Sequence, residues 1–230
     1  MTTHLINELD LLKQRTFSLV TIVEENLSLA VKSVQQRDEE AALAAIEKDA
    51  EIDRHEVSVE EECLKLLALY QPVAIDLRFI IAILKLTNDL ERIGDLAVNI
   101  AERAIFLART DSVPEPFDFN RMASKARMML KMSLDALVNR DVGLAAKVCA
   151  ADDEVDAINR EMYEQVKKSI KQHPKHLDAL INLLSVSRHL ERIADHATNI
   201  AEDVIYLVKG QIVRHAPDVP DGKLQEADIE

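Results

Sequence analysis

The sequence predicts an all-α protein built from two tandem antiparallel three-helix bundles that are related by internal duplication. Three observations support this prediction. The 230 residues include only 4 Gly, 6 Pro and no Trp, a composition typical of long helices rather than of sheets. Apolar residues recur at steps of three and four along most of the chain, as in amphipathic helices. Residues 88–102 also match residues 188–202 without a gap, which indicates a repeat.

The first repeat, residues 1–110, is predicted to contain three helices. The dipeptide Arg37-Asp38 interrupts the apolar periodicity after the first helix. Pro72 ends the second helix and can open the third, because proline is tolerated in a first helical turn. The predicted helices span residues 3–36, 39–69 and 73–109.

The second repeat, residues 119–210, follows the same plan after a predicted linker at residues 111–118, which has two prolines and no periodicity. Arg140-Asp141 interrupts the pattern as Arg37-Asp38 does, 103 positions later, and Pro174 marks the next turn. The predicted helices span residues 119–139, 142–172 and 175–209. Gly210 is a natural helix end, and residues 211–230 are predicted to form a flexible tail.

Pairs of acidic residues four positions apart recur in both repeats and point to cation binding. Two carboxylates so spaced on a helix are neighbours and repel each other, so a metal ion, a basic partner or salt and water should offset the repulsion. Oxygen ligands suit hard cations such as Mg²⁺, Ca²⁺, Mn²⁺ or Fe³⁺. The alternative is a solvated acidic face. The candidate metal ligands are Glu91, Asp95, Asn99, Asp49 and Asp53 in the first repeat and Glu191, Asp195, Asn199, Asp152 and Asp156 in the second.

Basic and imidazole side chains adjoin these acids. Arg92 and Arg192 are expected to pair with acids on a neighbouring helix, since a lone Arg among carboxylates is poorly placed to hold an anion. His196 adjoins Asp195 and could ligate a metal, but its counterpart in the first repeat is Leu96. We therefore expect His196 to have a structural or solvent-exposed role.

Several classes of function are disfavoured. The formal net charge of −13 repels nucleic-acid phosphates and anionic lipid, so no nucleic-acid partner is expected. No signal peptide and no apolar run of about 20 residues is found, so we expect no membrane insertion. Cys63 and Cys149 lack metal-type spacing and are expected to be buried thiols in a reducing cytosol.

Catalysis is also not expected. A di-iron oxidase bundle needs Glu-x-x-His on a helix, and no His here has a Glu three residues earlier. The four glycines are isolated, so no Gly-rich phosphate loop exists. No Cys/His or Ser/His/Asp arrangement stands out. The sequence therefore favours a protein that is not an enzyme.

The motifs Leu-Glu-Arg-Ile-Gly-Asp at 90–95 and Leu-Glu-Arg-Ile-Ala-Asp at 190–195 resemble those of the PhoU family of phosphate-specific transport system accessory proteins. The entry to the third helix, Gln-Pro-Val-Ala-Ile-Asp-Leu-Arg at 71–78, is also similar, and the resemblance covers about residues 3–209. It implies a tandem three-helix fold with an acidic E(D)-x-x-x-D motif in each half. The second repeat has Gln-His-Pro-Lys-His-Leu at the equivalent entry, so Asp76 and Arg78 are not duplicated.

The resemblance further implies a cytoplasmic regulator, commonly a homodimer, that represses phosphate-starvation genes when phosphate is plentiful. Its implied partners are the ATPase subunit of a phosphate ABC transporter and a PhoR-type sensor histidine kinase. Some family members bind iron or other metals in multinuclear clusters, and iron, zinc, manganese and magnesium are candidates here. The open alternatives are a carboxylate-rich metal-storage or di-iron redox protein and a metal-free helical interaction module.

Overall fold

A computed structural model describes residues 3–113 and 118–210, and within these ranges the protein has six α-helices and no strand. The all-α prediction is confirmed. The sixth helix begins two residues later than predicted, because a short 3₁₀ turn at Pro174–His176 precedes it. Residues 114–117 of the predicted linker and the predicted tail, 211–230, lie outside the described residues. The helices are α1 Thr3–Gln36, α2 Glu39–Tyr70, α3 Ala74–Arg109, α4 Phe119–Asn139, α5 Val142–Gln172 and α6 Leu177–Lys209.

The repeated Arg-Asp dipeptide ends one helix and begins the next. Arg37 and Arg140 have φ angles of 52° and 51°, so each takes the left-handed conformation that stops a helix. Asp38 and Asp141 then act as N-caps, and each side chain accepts a hydrogen bond from the backbone N–H three residues later. Asp118 caps α4 in the same way. These local signals explain why the predicted boundaries of α1, α4 and α5 agree with the structure.

Each repeat forms one antiparallel three-helix bundle, with α1, α2 and α3 in the first and α4, α5 and α6 in the second. The apolar stripe of the repeated motif faces the core, since Leu90, Ile93, Ala97 and Ile100 are buried. Their counterparts in α6 are buried as well: Leu190, Ile193, Ala197 and Ile200. The stripe on which the fold prediction depended is therefore the hydrophobic core of both bundles.

The two bundles pack against each other mainly through α3 and α6. Lys85 Nζ lies 3.0 Å from Asp203 Oδ1, and His196 Nδ1 lies 2.8 Å from Asp89 Oδ1. Residues further along α3 contact residues earlier in α6, so the two helices run antiparallel. Because α3 and α6 are equivalent in the two repeats, the bundles are related by an approximate twofold rotation.

One buried contact between the second and third helices is filled by a different pair of residues in each bundle. A Cβ atom on Gly94 would lie 3.0 Å from Ile52 Cδ1, 3.3 Å from Ile52 Cγ2 and 3.4 Å from Asp49 Oδ1. The equivalent residues of the second repeat are Ala194 and Val155, both fully buried. In the first bundle the small Gly94 on α3 faces the large Ile52 on α2. In the second bundle the residue on α6 is larger, alanine, and the residue on α5 is smaller, valine.

Among the described residues, none of the helices combines the length and apolarity that a membrane crossing requires.

Candidate functional site

Four of the predicted ligands of the first repeat face one another across α2 and α3. Burial raises the pKa of Asp49, and the negative charges of Asp53 and Asp95 raise it further. The pKa of Glu91 is also raised, mainly by burial and next by Asp95, with smaller effects of Glu56 and Asp53. The sequence paired the acids only within each helix, Asp49 with Asp53 and Glu91 with Asp95, and it did not identify Glu56 as their neighbour. We call these five residues the first acidic cluster.

The second repeat brings its four predicted carboxylates together between α5 and α6. Burial raises the pKa of Asp152 to about 6, with further effects from Asp195 and Asp156. Burial, followed by the charges of Asp195 and Asp156, also raises the pKa of Glu191. We call these four residues the second acidic cluster. Each cluster holds several negative charges in a half-buried place, which favours uptake of protons or other cations.

The two predicted asparagine ligands take different positions. Asn99 Nδ2 donates to the backbone oxygen of Asp95, one helical turn earlier, at 2.7 Å. Asn199 Nδ2 instead lies 3.5 Å from Asp89 Oδ1, on the other bundle. Asn199 is therefore at the interface between the bundles, and the two repeats do not use this position alike.

Metal binding by the acidic clusters stays a prediction. The donors fit a hard cation, because they are carboxylates whose mutual repulsion a positive ion would relieve. Within residues 3–113 and 118–210, however, no group of three His, Cys, Asp or Glu side chains is arranged to hold a metal ion. Metal binding at either cluster would therefore require side chains to rotate toward a common point.

The two motif arginines are not placed as expected. Arg92 pairs with acids of its own helix rather than a neighbouring one, with Nε 3.4 Å from Glu91 Oε2 and Nη1 3.3 Å from Asp95 Oδ2. Arg192 makes no salt bridge with any of the described residues. An acid three residues after an arginine lies within reach of that arginine along the helix, and this local pairing competes with pairing across helices.

A cavity of about 550 Å³ lies where α3 meets α6, and we call it the central cavity. It lies beside the buried contact between Asp89 and His196, so the structural role expected for His196 agrees with its position. Sequence reasoning missed this cavity, because only the packing of the two bundles brings its residues together. The lining residues are Leu84, Lys85, Asn88, Asp89, Arg92, Arg192, His196 and Asn199.

Comparison with known proteins identifies the family. A family model described as "PhoU domain" matches the chain twice, over residues 18–104 and 119–204. This chain belongs to the PhoU family. Both matches include the acidic motif of their repeat, and together they cover most of the described helices. The resemblance inferred from the two motifs is thereby confirmed.

Members of the PhoU family from several bacteria are similar over most of this chain. The chain is 38% identical over 211 residues to a phosphate-specific transport system accessory protein PhoU homolog of Aquifex aeolicus, covering 92% of this chain and 96% of that protein. A homolog from Pseudomonas aeruginosa is 36% identical over 209 residues, with 90% and 86% coverage.

Solved structures of PhoU proteins have the same fold. The crystal structure of PhoU from Pseudomonas aeruginosa superposes with a TM-score of 0.86 at 35% identity, covering 89% of this chain and 99% of that one. The phosphate transport system regulatory protein PhoU from Streptococcus pneumoniae gives a TM-score of 0.80 at 31% identity, with coverage of 91% and 99%. The tandem-bundle architecture is thus shared with these regulatory and accessory proteins.

Proposed function

We propose that this PhoU-family chain is a cytoplasmic, non-enzymatic regulator of phosphate uptake and phosphate-starvation signalling. It acts as an adaptor between the ATPase subunit of a phosphate ABC transporter and a PhoR-type sensor histidine kinase, and it represses the phosphate regulon when phosphate is plentiful. The observation that carries the proposal is the double PhoU-domain match, which extends over both bundles. The names of the relatives, accessory and regulatory proteins of phosphate transport, support the same role.

The proposal includes a homodimer and metal ions at the acidic clusters, with iron, zinc, manganese and magnesium as candidates. A bound cation would relieve the repulsion between Asp49, Asp53 and Glu91, and between Asp152, Asp156 and Glu191. Because such a cation binds the folded state only, it would stabilise the bundles and link metal supply to the conformation of the acidic face.

Regulation can be tested by complementation. In a strain that lacks this gene, a phosphate-starvation reporter should stay active at high phosphate, and the wild-type gene should switch it off. The variant Glu91→Gln with Asp95→Asn should repress less well, because it removes one motif without a large change of shape. Normal repression in the deletion strain itself would overturn the regulatory role.

A matched control is available on α2. Glu47 and Glu51 are also acids four residues apart, and neither makes a salt bridge with the described residues. Glu47→Gln with Glu51→Gln changes the net charge by the same amount as the motif variant. This control should repress as the wild type does, and a loss of repression equal to that of the motif variant would show that charge alone matters.

A metal-free adaptor is the second candidate, and it is favoured by the lack of three converging ligands among the described residues. The two candidates differ in metal content. Elemental analysis of protein purified without chelators should find metal in the wild type and less in the motif variant. Equal metal content in both would exclude the motif acids as ligands and favour the metal-free candidate.

A further inference from the structure

We propose that the central cavity between α3 and α6 binds a phosphoryl-type oxyanion, either inorganic phosphate or the phosphate group of a small metabolite. The inference stands on the chemistry of this cavity, and it does not require the regulatory role or the metal sites. It assigns to the interface between the bundles a ligand opposite in charge to the cations expected at the acidic clusters.

The lining of the central cavity is positive although the chain as a whole carries a net charge of −13. Lys85, Arg92 and Arg192 contribute three positive charges, and Asp89 is the one carboxylate of the lining. Asp89 is buried, and its Oδ1 is already in contact with His196 Nδ1 at 2.8 Å. The cavity therefore brings three cationic side chains to one place, and these are the groups to which an anion would bind, although neighbouring acids offset part of their charge.

The cationic groups retain donors for a ligand. Arg92 contacts its neighbouring acids through Nε and Nη1, which leaves Nη2, and Arg192 makes no salt bridge with the described residues. The Arg92 pairs are solvent-exposed, so they contribute little and can be exchanged for a ligand. Two guanidinium groups can hold a tetrahedral oxyanion through paired N–H donors, and the amides of Asn88 and Asn199 can add neutral donors.

Other acids close to the cavity limit the affinity without closing the site. Lys85 contacts Asp203 at 3.0 Å, and Glu91 and Asp95 lie beside Arg92. The volume of about 550 Å³ exceeds that of ten water molecules at about 30 Å³ each, so a hydrated phosphate group fits. We therefore expect measurable but moderate binding that weakens with added salt.

The twofold relation predicts one site per chain rather than two. Arg92 and Arg192 are equivalent residues, and the cavity uses both of them. On the other side of the interface, Ser185 stands in place of Lys85 and His189 in place of Asp89. That side therefore lacks the lysine, and a second copy of the site cannot form there.

Titration of the full chain tests the proposal. The protein is treated with a chelator, so that metal-bound phosphate at the acidic clusters cannot contribute, and inorganic phosphate or magnesium-free ATP is added during calorimetry and ³¹P NMR. We expect one site per chain and a loss of at least tenfold in affinity for Arg192→Gln and for Lys85→Gln. Arg188→Gln is the matched control, because this exposed arginine of α6 lines a different groove, and it should bind as the wild type does.

The outcomes separate the sources of the ligand. Binding of inorganic phosphate identifies the free anion as a ligand, whereas binding of ATP alone identifies a phosphorylated metabolite. Absence of binding for both probes, or equal affinity in the wild type and both cavity variants, would overturn the proposal. Arg192 is exposed, whereas Lys85 is half-buried against Asp203, so circular dichroism checks the helix content of both variants, and Arg192→Gln alone decides the test if Lys85→Gln loses helix content. The reporter assay is independent, so failure here leaves the regulatory proposal intact.

Discussion

Replacing Gly94 with alanine tests the packing that distinguishes the two bundles. The new Cβ atom would lie 3.0 Å from Ile52 Cδ1 and 3.3 Å from Ile52 Cγ2, closer than ordinary contact. Alanine favours a helix over glycine by about 0.8–1.0 kcal/mol, whereas overpacking a core costs about 1–3 kcal/mol. Since Ile52 is fully buried and has little room to move, we expect a net loss of about 1 kcal/mol in the free energy of unfolding.

The second substitution, Ile52→Val, should relieve this loss, because valine lacks the Cδ1 atom. Alone it should cost about 0.5–1.5 kcal/mol through the space that it leaves. The double variant reproduces the residue pair that Val155 and Ala194 form in the second repeat, so we expect a stability close to that of the wild type. The coupling energy between the two sites should thus be about 1–2 kcal/mol in the favourable direction.

Urea denaturation followed by circular dichroism at 222 nm measures all four members of this cycle. Ala194→Gly is the reciprocal control, and it should only destabilise, because it removes a buried methyl group and lowers helix propensity. If Gly94→Ala raised stability by about 1 kcal/mol and the two changes were additive, the close approach of Ile52 to position 94 would be refuted.

Three further changes should alter stability in predictable directions. Because burial raises the pKa of Asp152 to about 6 from 3.8, the stabilisation by its protonated form is complete below about pH 4 and is lost as the pH rises through about 6. Asp152→Asn should therefore add about 1 kcal/mol at pH 7.5, allowing for solvent screening, and little at pH 4. Asn26 is fully buried and neither side-chain polar atom has a partner, so Asn26→Met should raise the unfolding free energy by about 1–2 kcal/mol. Arg37 donates to the backbone oxygens of Leu107 and Thr110, so Arg37→Ala should cost about 1–2 kcal/mol.

Each of these changes has its own control and contrary result. Urea unfolding of chelator-treated wild type and Asp152→Asn at pH 4 and 7.5 measures the difference in their free energies of unfolding. An equal gain at the two pH values would contradict the prediction. The melting temperature measures the effect of Asn26→Met. Methionine is chosen because the equivalent residue of the second repeat, 103 positions later, is the buried Met129. A lower melting temperature would mean that the Asn26 amide is satisfied. Arg140→Ala serves as the control for Arg37→Ala, and equal losses in the two variants would argue that the hydrogen bonds from Arg37 to Leu107 and Thr110, at the end of α3, contribute no stability.

The helices could be predicted because their limits depend on neighbouring residues. An aspartate N-cap, a residue with positive φ before it and a proline in a turn all act within a few positions, and Asp38, Arg37 and Pro72 are such signals. The acidic pairs within each helix were predictable for the same reason, since residues i and i+4 lie on one helix face, but the meeting of two pairs and the addition of Glu56 depend on how the helices pack.

The central cavity could not be predicted, because its residues meet only after two complete bundles have packed together. Asp89 and His196 are 107 positions apart, and the residues equivalent to them in the other repeat, His189 and Leu96, are of different types. The expectation that Arg92 reaches a neighbouring helix was wrong, since an acid three residues along the same helix is closer. The placement of Asn199 at the interface likewise depends on the approach of α3 to α6.

The α3–α6 contact has a consequence for how the molecule comes apart. Asp89 and Asp203 are buried at this contact, and each lies against a basic or imidazole group of the opposite bundle. Pulling the bundles away from each other would leave these carboxylates without those neighbours and would wet apolar surface along both helices. Each bundle therefore stabilises the other, and the protein should unfold in a single cooperative transition although its sequence contains two repeats.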